Sequence, residues 1–318
     1  MKISVLGCGR WGSFHAWYAA GIGHEVTLWG RESSANMARL MDSRRNEYLS
    51  LPAEVRLTVD LKEAVSEAEL CIISISAQQL RGFAAALRGL GLPGRPLVLC
   101  MKGLEAASGK RLTEVVAEEL GSAWPTVVWV GPGHVQDFLQ GIPNCMVMAS
   151  TDEVLSRRVI EIFNGPLIRF YYSDDLLGTE IGAAAKNVVG LAAGMLDGMG
   201  MSSLKGALMS RGTSELSRLI GAMGGKEKTI YGLSHLGDYE ATLFSAHSNN
   251  RRFGENYIRR IPMTKLAEGV STSKALTELG KRYGVELPIC ETVCGIVCHG
   301  RDPGEALKSL FLRSMKAE

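Results

Sequence analysis

The feature that most constrains the fold is the glycine-rich stretch GCGRWG at residues 7–12. It directly follows a short apolar run and opens a stretch with helical periodicity. In this strand–loop–helix setting the pattern G-x-G-x-x-G predicts a dinucleotide-binding loop. Gly7 would permit the tight turn, Gly9 would let backbone approach a pyrophosphate, and Gly12 would let the helix pack on the strand. The alternative is a glycine-rich turn that binds nothing.

The first half of the chain alternates strand-like runs with amphipathic stretches such as DLKEAVSEAE, where Asp60 is expected to cap a helix. This alternation predicts a parallel sheet covered on both faces. From about Asp175 only helical patterns with Gly and Ala faces remain. We therefore expect an α/β protein with a Rossmann-type doubly wound parallel sheet (1–178) and an all-helical C-terminal domain (179–318). The predicted strands are KISVLG (2–7), EVTLWG (25–30), VRLTV (55–59), LCIISIS (70–76), PLVLCMKG (96–103), TVVWVGPG (126–133) and NCMVMAS (144–150).

Composition argues against several kinds of partner. The formal net charge of +2 gives no basic footprint for nucleic acid. No apolar run is long and uncharged enough for membrane insertion, and the N-terminus lacks the features of a signal peptide, so we expect a cytoplasmic protein. Seven dispersed cysteines do not predict a disulfide framework. Cys290, Cys294 and Cys298 recur every fourth residue, which favours a buried helix face over a metal site with His299, and we expect no metal.

The stretch EIGAAAKNVVGLAAGM (180–195) predicts a buried helix in which Lys186 is the only charge after Glu180. At helical spacing, glycines lie near the lysine, so a ligand or the other domain could approach closely. Burial lowers the pKa of a lysine and suits it to proton transfer near neutral pH. The alternative is a lysine that extends to the surface or pairs structurally with a carboxylate. The glycines concerned are Gly182, Gly190 and Gly194.

The end of the second predicted strand bears on the ribose of the cofactor. NAD sites usually carry Asp or Glu about 20 residues after the glycine loop, but LWGRESS places Gly30 and Arg31 there. Arg31 could pair with a 2′-phosphate, with Ser33 and Ser34 as additional donors, which favours NADP(H). Glu32 would take the acidic role if the loop turns the other way, so NAD(H) remains possible.

Further stretches, together with GCGRWG and LWGRE, recur in one order along nearly the whole chain. They are KGLE (102–105), GPG (131–133), AAKNVVGLAAGMLDGMG (184–200), LMSRGTSEL (208–216), YGLSHLGDYEATLFS (231–245), RRFGE (251–255), LAEGV (266–270) and ELPICETV followed by GRDPGEALKSLFLR (286–313). This set resembles the bacterial NAD(P)-dependent glycerol-3-phosphate dehydrogenase family. The resemblance implies an oxidoreductase that interconverts sn-glycerol 3-phosphate and dihydroxyacetone phosphate for phospholipid biosynthesis. It also implies an active site in the cleft between the two domains.

The resemblance assigns roles to individual residues. It makes Lys186 the proton donor and acceptor at the reacting oxygen, with Lys102 and Asp238 as the other catalytic residues. It implies cofactor binding by Gly7, Gly9, Arg10, Trp11, Gly12, Arg31, Lys102, Val135, Asn249, Leu266 and Glu268. It implies binding of a small phosphorylated three-carbon substrate by Lys102, Gly131, Gly133, Lys186, Asp238, Ser248, Asn249 and Asn250. A homodimer is the usual assembly of such enzymes.

The chain departs from the family pattern at positions that contact phosphate. Asn249 replaces an arginine of the family, and an amide offers only neutral donors in place of a bidentate cation. Arg251 or Arg252 could compensate, or the substrate could differ. Gly133 and His134 stand where the family commonly has a hydroxyl residue and an aromatic one. His134 could bind a phosphate or cap the following helix.

Three hypotheses follow from these patterns. The first is an NADP(H)-preferring glycerol-3-phosphate dehydrogenase. The second is a related reductase of another small 2-oxo or hydroxy compound. The third is a non-catalytic nucleotide-binding homologue, which would have no need of Lys186 and Asp238.

Overall fold

The computed structural model describes residues 1–265 and 267–311 of the chain. These residues form two compact units that are discontinuous in sequence. The segment Lys102–Arg111, which a boundary after residue 178 would count with the N-terminal domain, packs with the second unit. The first unit is Met1–Met101 with Leu112–Leu176, and the second is Lys102–Arg111 with the chain from Leu177 onward.

An eight-stranded sheet forms the framework of the first unit. Its strands are β1 (Lys2–Leu6), β2 (Glu25–Trp29), β3 (Arg56–Thr58), β4 (Leu70–Ile73), β5 (Leu97–Leu99), β6 (Thr126–Val130), β7 (Asn144–Ala149) and β8 (Ile168–Ser173). Their order is β3-β2-β1-β4-β5-β6-β7-β8. The first six strands follow the order of a doubly wound dinucleotide-binding sheet, which confirms the predicted fold class. Ligands of such sheets bind where the order reverses, here between β1 and β4.

Helices connect the strands of the first unit. They are α1 (Arg10–Gly21), α2 (Ala35–Ser43), α3 (Leu61–Ser66), α4 (Leu80–Gly89), α5 (Leu112–Leu120), α6 (Val135–Leu139) and α7 (Glu153–Phe163). Helix α1 places Phe14 and Tyr18 in the core, where the ring of Tyr18 contacts Trp129 of β6. The Asp60 carboxylate accepts two backbone N–H bonds from the first turn of α3, which confirms the predicted cap.

The sheet contains the seven predicted strands and an eighth, β8, which was not predicted. It is also mostly rather than wholly parallel, because β7 pairs antiparallel with β6 while the other strand pairs are parallel. The length of α6 explains the reversal. A helix of five residues rises about 7–8 Å, whereas the five-residue strand β6 spans about 16 Å. The chain therefore does not return to the opposite edge before β7 begins.

The second unit is helical. Its helices are α8 (Leu176–Gly198), α9 (Lys205–Ala222), α10 (Asn249–Ile258), α11 (Glu268–Tyr283), α12 (Pro288–His299) and α13 (Pro303–Phe311). Helix α8 contains the predicted buried helix, and its side chains from Ile181 to Leu196 are buried. Helix α11 ends at Tyr283 and is capped by Gly284 in the left-handed conformation, and Pro288 opens α12.

The glycine face of α8 packs within the second unit. A Cβ atom at Gly194 would lie 1.8 Å from the backbone oxygen of Arg251 in α10, so the two helices touch through their backbones. A Cβ atom at Gly190 would lie 2.8 Å from the Thr242 methyl group, and Gly182 contacts the same segment after α9. These small residues therefore serve internal packing, and the prediction that they admit a ligand or the other domain is wrong.

The cysteine positions of α12 differ in burial. Cys290 and Cys294 lie in the core, whereas Cys298 is exposed. Among residues 1–265 and 267–311, no group of three or more His, Cys, Asp or Glu side chains is arranged to hold a metal ion. Within the same ranges, no helix is both long enough and apolar enough to cross a membrane.

Candidate active site

Three glycines shape the loop between β1 and α1. Gly7 has φ of +123°, and a Cβ atom there would lie 2.2 Å from the backbone oxygen of Ser74. A Cβ atom at Gly12 would lie 1.8 Å from the oxygen of Gly7, so α1 packs directly on the loop. Gly9 differs, because nothing lies within 4 Å of a Cβ atom added there. The loop therefore fits a dinucleotide pyrophosphate, which the first N–H groups of α1 would bind.

Gly30 directly follows β2 and was predicted as the last residue of that strand. There is no space for an acidic side chain at this position. A Cβ atom at Gly30 would lie 2.5 Å from Sγ of Cys8. The side chains of Arg31 and Glu32 that follow are both exposed. The Ser34 hydroxyl accepts an N–H bond from the first turn of α2 and thus acts as a helix cap. The pairing of Arg31 with a cofactor 2′-phosphate stays a prediction.

The loop after β6 is strained in a way that only glycine tolerates. Gly131 and Gly133 have φ of +142° and +126°, and a Cβ atom at Gly133 would lie 2.7 Å from the ring of Phe138. A hydroxyl residue therefore does not fit at Gly133. His134 occupies the N-cap position of α6, but its side chain makes no capping bond, so the capping alternative is wrong. The side chain of Val135 is buried in the core, which leaves its backbone as the part able to meet a cofactor.

Two side chains of the first turn of α1 flank the glycine loop. The guanidinium of Arg10 lies over the ring of Tyr48, 5.2 Å from its centroid. The ring of Trp11 packs edge-on against Phe14 at 5.5 Å and against Phe138 at 6.4 Å between centroids. A cation and an aromatic ring thus occur together at the helix N-terminus where the cofactor phosphates are expected.

A buried cluster of charges lies in the second unit, on α8 and the segment after α9. Nζ of Lys186 is 2.7 Å from Oδ2 of Asp238 and 2.6 Å from Oγ1 of Thr242. Nζ of Lys102 is 2.8 Å from the same Asp238 oxygen, so one carboxylate oxygen contacts two ammonium groups. The Lys186 side chain is 7% exposed and that of Lys102 18% exposed. The structure thus brings together the three predicted catalytic residues.

Burial gives Lys186 an unusual proton affinity. Burial lowers its pKa from the ordinary 10.5 to about 8, and the neighbouring Lys102 acts in the same direction. The Asp238 carboxylate opposes this shift. The alternative in which Lys186 extends to the surface is wrong, whereas pairing with a carboxylate is present. An ammonium with such a pKa can release and regain a proton near neutral pH.

The position of Lys102 is fixed by a small hairpin of the second unit. Leu104 and Arg111 form an antiparallel bridge that closes this hairpin. The Arg111 guanidinium lies 3.0 Å from the buried Glu180 carboxylate of α8. Asn187 of α8 donates its amide N–H to the backbone oxygen of Lys102 at 3.0 Å. The helix that carries Lys186 therefore also positions Lys102.

Thr242 and Asn187 were not predicted as site residues. Thr242 lies in a single π-helical turn, Glu240–Phe244, and such turns are frequent at functional sites. Its distance of four residues from Asp238 is the one sequence signal that could have indicated it. Asn187 directly follows Lys186, and its amide faces a segment 85 residues earlier in the chain. Sequence spacing alone does not reveal that contact.

The predicted residues at the N-terminus of α10 have different environments. Ser248 caps the helix by accepting the N–H of Arg251. Oδ1 of Asn250 accepts the N–H of Gly269 at 2.9 Å and so joins α10 to the first turn of α11, which begins at Glu268. Leu266, the other predicted contact here, lies outside the described residues.

Comparison with known proteins identifies the family. Residues 2–156 match the model for the N-terminus of NAD-dependent glycerol-3-phosphate dehydrogenase, and residues 175–308 match the model for its C-terminus. The chain belongs to this NAD-dependent glycerol-3-phosphate dehydrogenase family.

Individual relatives agree with the family models over the full length. A Thermus thermophilus protein named glycerol-3-phosphate dehydrogenase (NAD(P)+) is 39% identical, with 100% of both chains covered. A Streptomyces coelicolor protein of the same name is 37% identical, covering 100% of this chain and 98% of its own. The crystal structure of glycerol-3-phosphate dehydrogenase from Coxiella burnetii superposes with a TM-score of 0.92 at 29% identity, covering 98% of this chain and 99% of the other.

The departure from the glycerol-3-phosphate dehydrogenase pattern at Asn249 is not offset by Arg251. Nε of Arg251 lies 2.6 Å from Asp197, and its Nη2 lies 3.4 Å from Glu255, so this guanidinium is held by two carboxylates. Oδ1 of Asn249 is buried and has no hydrogen-bond partner among the described residues. Arg252 is exposed and forms no ion pair within the described ranges. It is the neighbouring cation that remains available.

Proposed function

We propose that this chain catalyses the NAD(P)-dependent interconversion of dihydroxyacetone phosphate and sn-glycerol 3-phosphate. Full-length relatives at 39% and 37% identity carry the name of that enzyme. The observation that carries the proposal is the Lys186 ammonium, buried against Asp238 with a pKa of about 8. A group that both donates and accepts a proton near neutral pH suits a reversible ketone–alcohol reaction.

The roles of the side chains follow from the charges that develop during reduction. The bound nicotinamide cofactor supplies the hydride that the carbonyl carbon receives. The π electrons of the carbonyl move to its oxygen, and Lys186 stabilises this charge and donates a proton from Nζ. In alcohol oxidation, neutral Lys186 takes the hydroxyl proton. Asp238 orients Lys186 and Lys102, and the more exposed Lys102 binds the anionic substrate.

We infer that NADP(H) is preferred and that NAD(H) is also used. At position 30 there is no space for an acidic side chain that would bind the ribose 2′-hydroxyl, because Cys8 fills that volume. Arg31 is exposed beside it, and arginine pairs well with a 2′-phosphate. Glu32 is the acid through which NAD(H) would bind.

Asn249 is the observation that favours a second candidate, a related reductase of a small 2-oxo or hydroxy compound without phosphate. The buried, unpartnered Oδ1 of Asn249 is an acceptor, and an acceptor suits a hydroxyl donor better than an anion. The reaction would remain the same, since Lys186 and Asp238 act on the carbonyl. A non-catalytic homologue is the least supported hypothesis, because burying an ion pair costs several kcal/mol per ion without any benefit to nucleotide binding.

One assay separates the candidates. Purified protein is mixed with NADPH and dihydroxyacetone phosphate, and cofactor oxidation is followed by absorbance. Turnover supports the leading proposal. Turnover with unphosphorylated 2-oxo compounds alone supports the second candidate and refutes the first. NADPH binding without turnover of any ketone refutes both.

We also propose that the enzyme is a cytoplasmic homodimer that supplies glycerol 3-phosphate for phospholipid synthesis. The family to which the chain belongs supports this role. Sedimentation of the purified protein tests the assembly, and fractionation of the source cells tests the location. A monomer, or recovery with membranes, would contradict the respective part of the proposal.

A further inference from the structure

A chain of buried hydrogen bonds lies behind the charge cluster of the second unit. Nδ1 of His235 is 2.8 Å from the backbone oxygen of Gly182, and Nε2 of His235 is 2.5 Å from the hydroxyl of Tyr239. The Thr213 hydroxyl of α9 is 3.5 Å from the Tyr239 hydroxyl. Both His235 and Tyr239 are 0% exposed. Lys186 is not a partner in any of these three hydrogen bonds.

The partners fix the tautomer of His235. A carbonyl oxygen only accepts, so Nδ1 must carry the hydrogen that is donated to Gly182. Burial lowers the pKa of His235 to about 4, and the positive charge of Lys186 acts in the same direction, although Asp238 opposes it. The ring is therefore neutral near pH 7, and Nε2 accepts the hydroxyl hydrogen of Tyr239. Burial also raises the pKa of Tyr239, so that this donor keeps its proton.

The chain of bonds joins the two elements whose spacing sets the environment of Lys186. Gly182 lies four residues before Lys186, so its carbonyl belongs to the helical turn that accepts the lysine's backbone N–H. His235 opens the short segment that carries Asp238 and Thr242, the two partners of the lysine Nζ. A Cβ atom at Gly182 would lie only 3.2 Å from Cβ of His235, so the segment sits directly against the helix.

We propose that His235, held as the neutral Nδ1–H tautomer, is a positioning residue that fixes Asp238 and Thr242 against the turn of α8 carrying Lys186. The inference rests on the proposed function of Lys186. A loss of the bond to Gly182 lets the segment move away from the helix. The Asp238 carboxylate then lies farther from Lys186 and raises its pKa less. The lysine also donates its proton from a displaced position.

Two amide variants separate the bond to Gly182 from simple packing. The amide of asparagine reaches the place of Nδ1 and can donate to Gly182, whereas that of glutamine reaches the place of Nε2 and cannot. We expect His235→Gln to lower kcat about 10- to 100-fold, as small misplacements of reacting groups do, with KM for the ketone changed less than twofold. We expect His235→Asn to keep a kcat much closer to that of the wild type. Equal losses in both variants, or wild-type kcat in His235→Gln, would overturn the inference.

Nuclear magnetic resonance tests the same point without turnover. In protein labelled at lysine Cε, with Lys186→Arg used for assignment, the titration midpoint of Lys186 should fall in His235→Gln and stay at the wild-type value in His235→Asn. In the wild type, the ring nitrogens of His235 should show hydrogen on Nδ1 and no protonation at pH 6. Hydrogen on Nε2 would overturn the inference even if a variant failed to fold. Failure of the wild type to reduce any ketone would instead refute the proposed function.

Discussion

The charge of Asp238 provides the sharpest test of how Lys186 works. In Asp238→Asn the amide keeps the shape of the side chain and removes the negative charge 2.7 Å from Nζ of Lys186. Burial and the positive Lys102 then remain, and both lower the pKa of Lys186. Ketone reduction needs the ammonium form as proton donor, so the variant should lose activity at a lower pH than the wild type.

The size of the effect follows from the pKa of the lysine. An opposite charge within a few ångströms shifts a pKa by about 1–3 units. Removing it should move the pKa of Lys186 from about 8 toward about 6 if the shift is about two units. At pH 7.5 the fraction of Lys186 in the ammonium form would then fall about 25-fold. Lowering the pH should restore that part of the lost rate.

The assay is kcat/KM for ketone reduction from acid to alkaline pH. The wild-type profile should decline above about pH 8, and the Asp238→Asn profile should decline about one to three pH units earlier. Asp197→Asn is the matched control, because Asp197 holds another buried lysine, Lys205, at 2.7 Å. It should leave the midpoint of the profile unchanged. A uniform loss of rate in Asp238→Asn, with no shift of the midpoint, would refute the electrostatic role of this carboxylate.

Three further predictions follow. Arg31→Ala should raise KM for NADPH at least about tenfold, because bonds to a charged group are worth about 1.5–3 kcal/mol, and should leave KM for NADH within twofold; equal effects on both cofactors would contradict the assignment. Asn249→Arg should lower KM for dihydroxyacetone phosphate about 10- to 150-fold, because the added bond to a charged phosphate is worth the same free energy. It should not change KM for dihydroxyacetone. An unchanged KM for the phosphorylated ketone would exclude Asn249 from the phosphate site. The Glu215 carboxylate, which accepts the N–H groups of Ile289 and Cys290, has a pKa raised by burial to about 7 from 4.5. The folded state therefore binds a proton that the unfolded state releases, so the free energy of unfolding should fall by about 3 kcal/mol as the pH rises from about 4.5 to about 7. Glu215→Gln should lack this slope in urea denaturation, and an unchanged slope would show that another group causes it.

Local patterns were sufficient to predict the nucleotide loop and the buried lysine helix. The roles of Gly7 and Gly12 follow from backbone geometry, which adjacent sequence determines. The burial of Lys186 follows from the apolar residues around it in the helix. Strand β8 was not predicted, although its first four residues alternate between buried and exposed. It shows that a short alternating run at a sheet edge carries a weak signal.

Contacts between distant segments could not be predicted. The bond between Asn187 and the backbone of Lys102 joins residues 85 positions apart, and the pairing of Arg251 with Asp197 joins residues 54 apart. That pairing decides that Arg251 does not replace the missing arginine at Asn249. Helical spacing likewise identified the small residues of α8 but not their neighbours, because periodicity defines a face and not what packs against it.

The most direct test of Lys186 as the proton donor is a single turnover with the cofactor already bound. NADPH-saturated Lys186→Ala is mixed rapidly with dihydroxyacetone phosphate, and the absorbance of the reduced nicotinamide is followed. Lys205→Ala is the control, since the side chains of both lysines are 7% exposed and paired with an aspartate. Hydride transfer should be slower by about 100- to 10,000-fold in Lys186→Ala, the usual contribution of a general acid, with NADPH affinity within twofold of the wild type. Hydride transfer at the rate of the Lys205→Ala control would contradict the assignment of Lys186 as the proton donor.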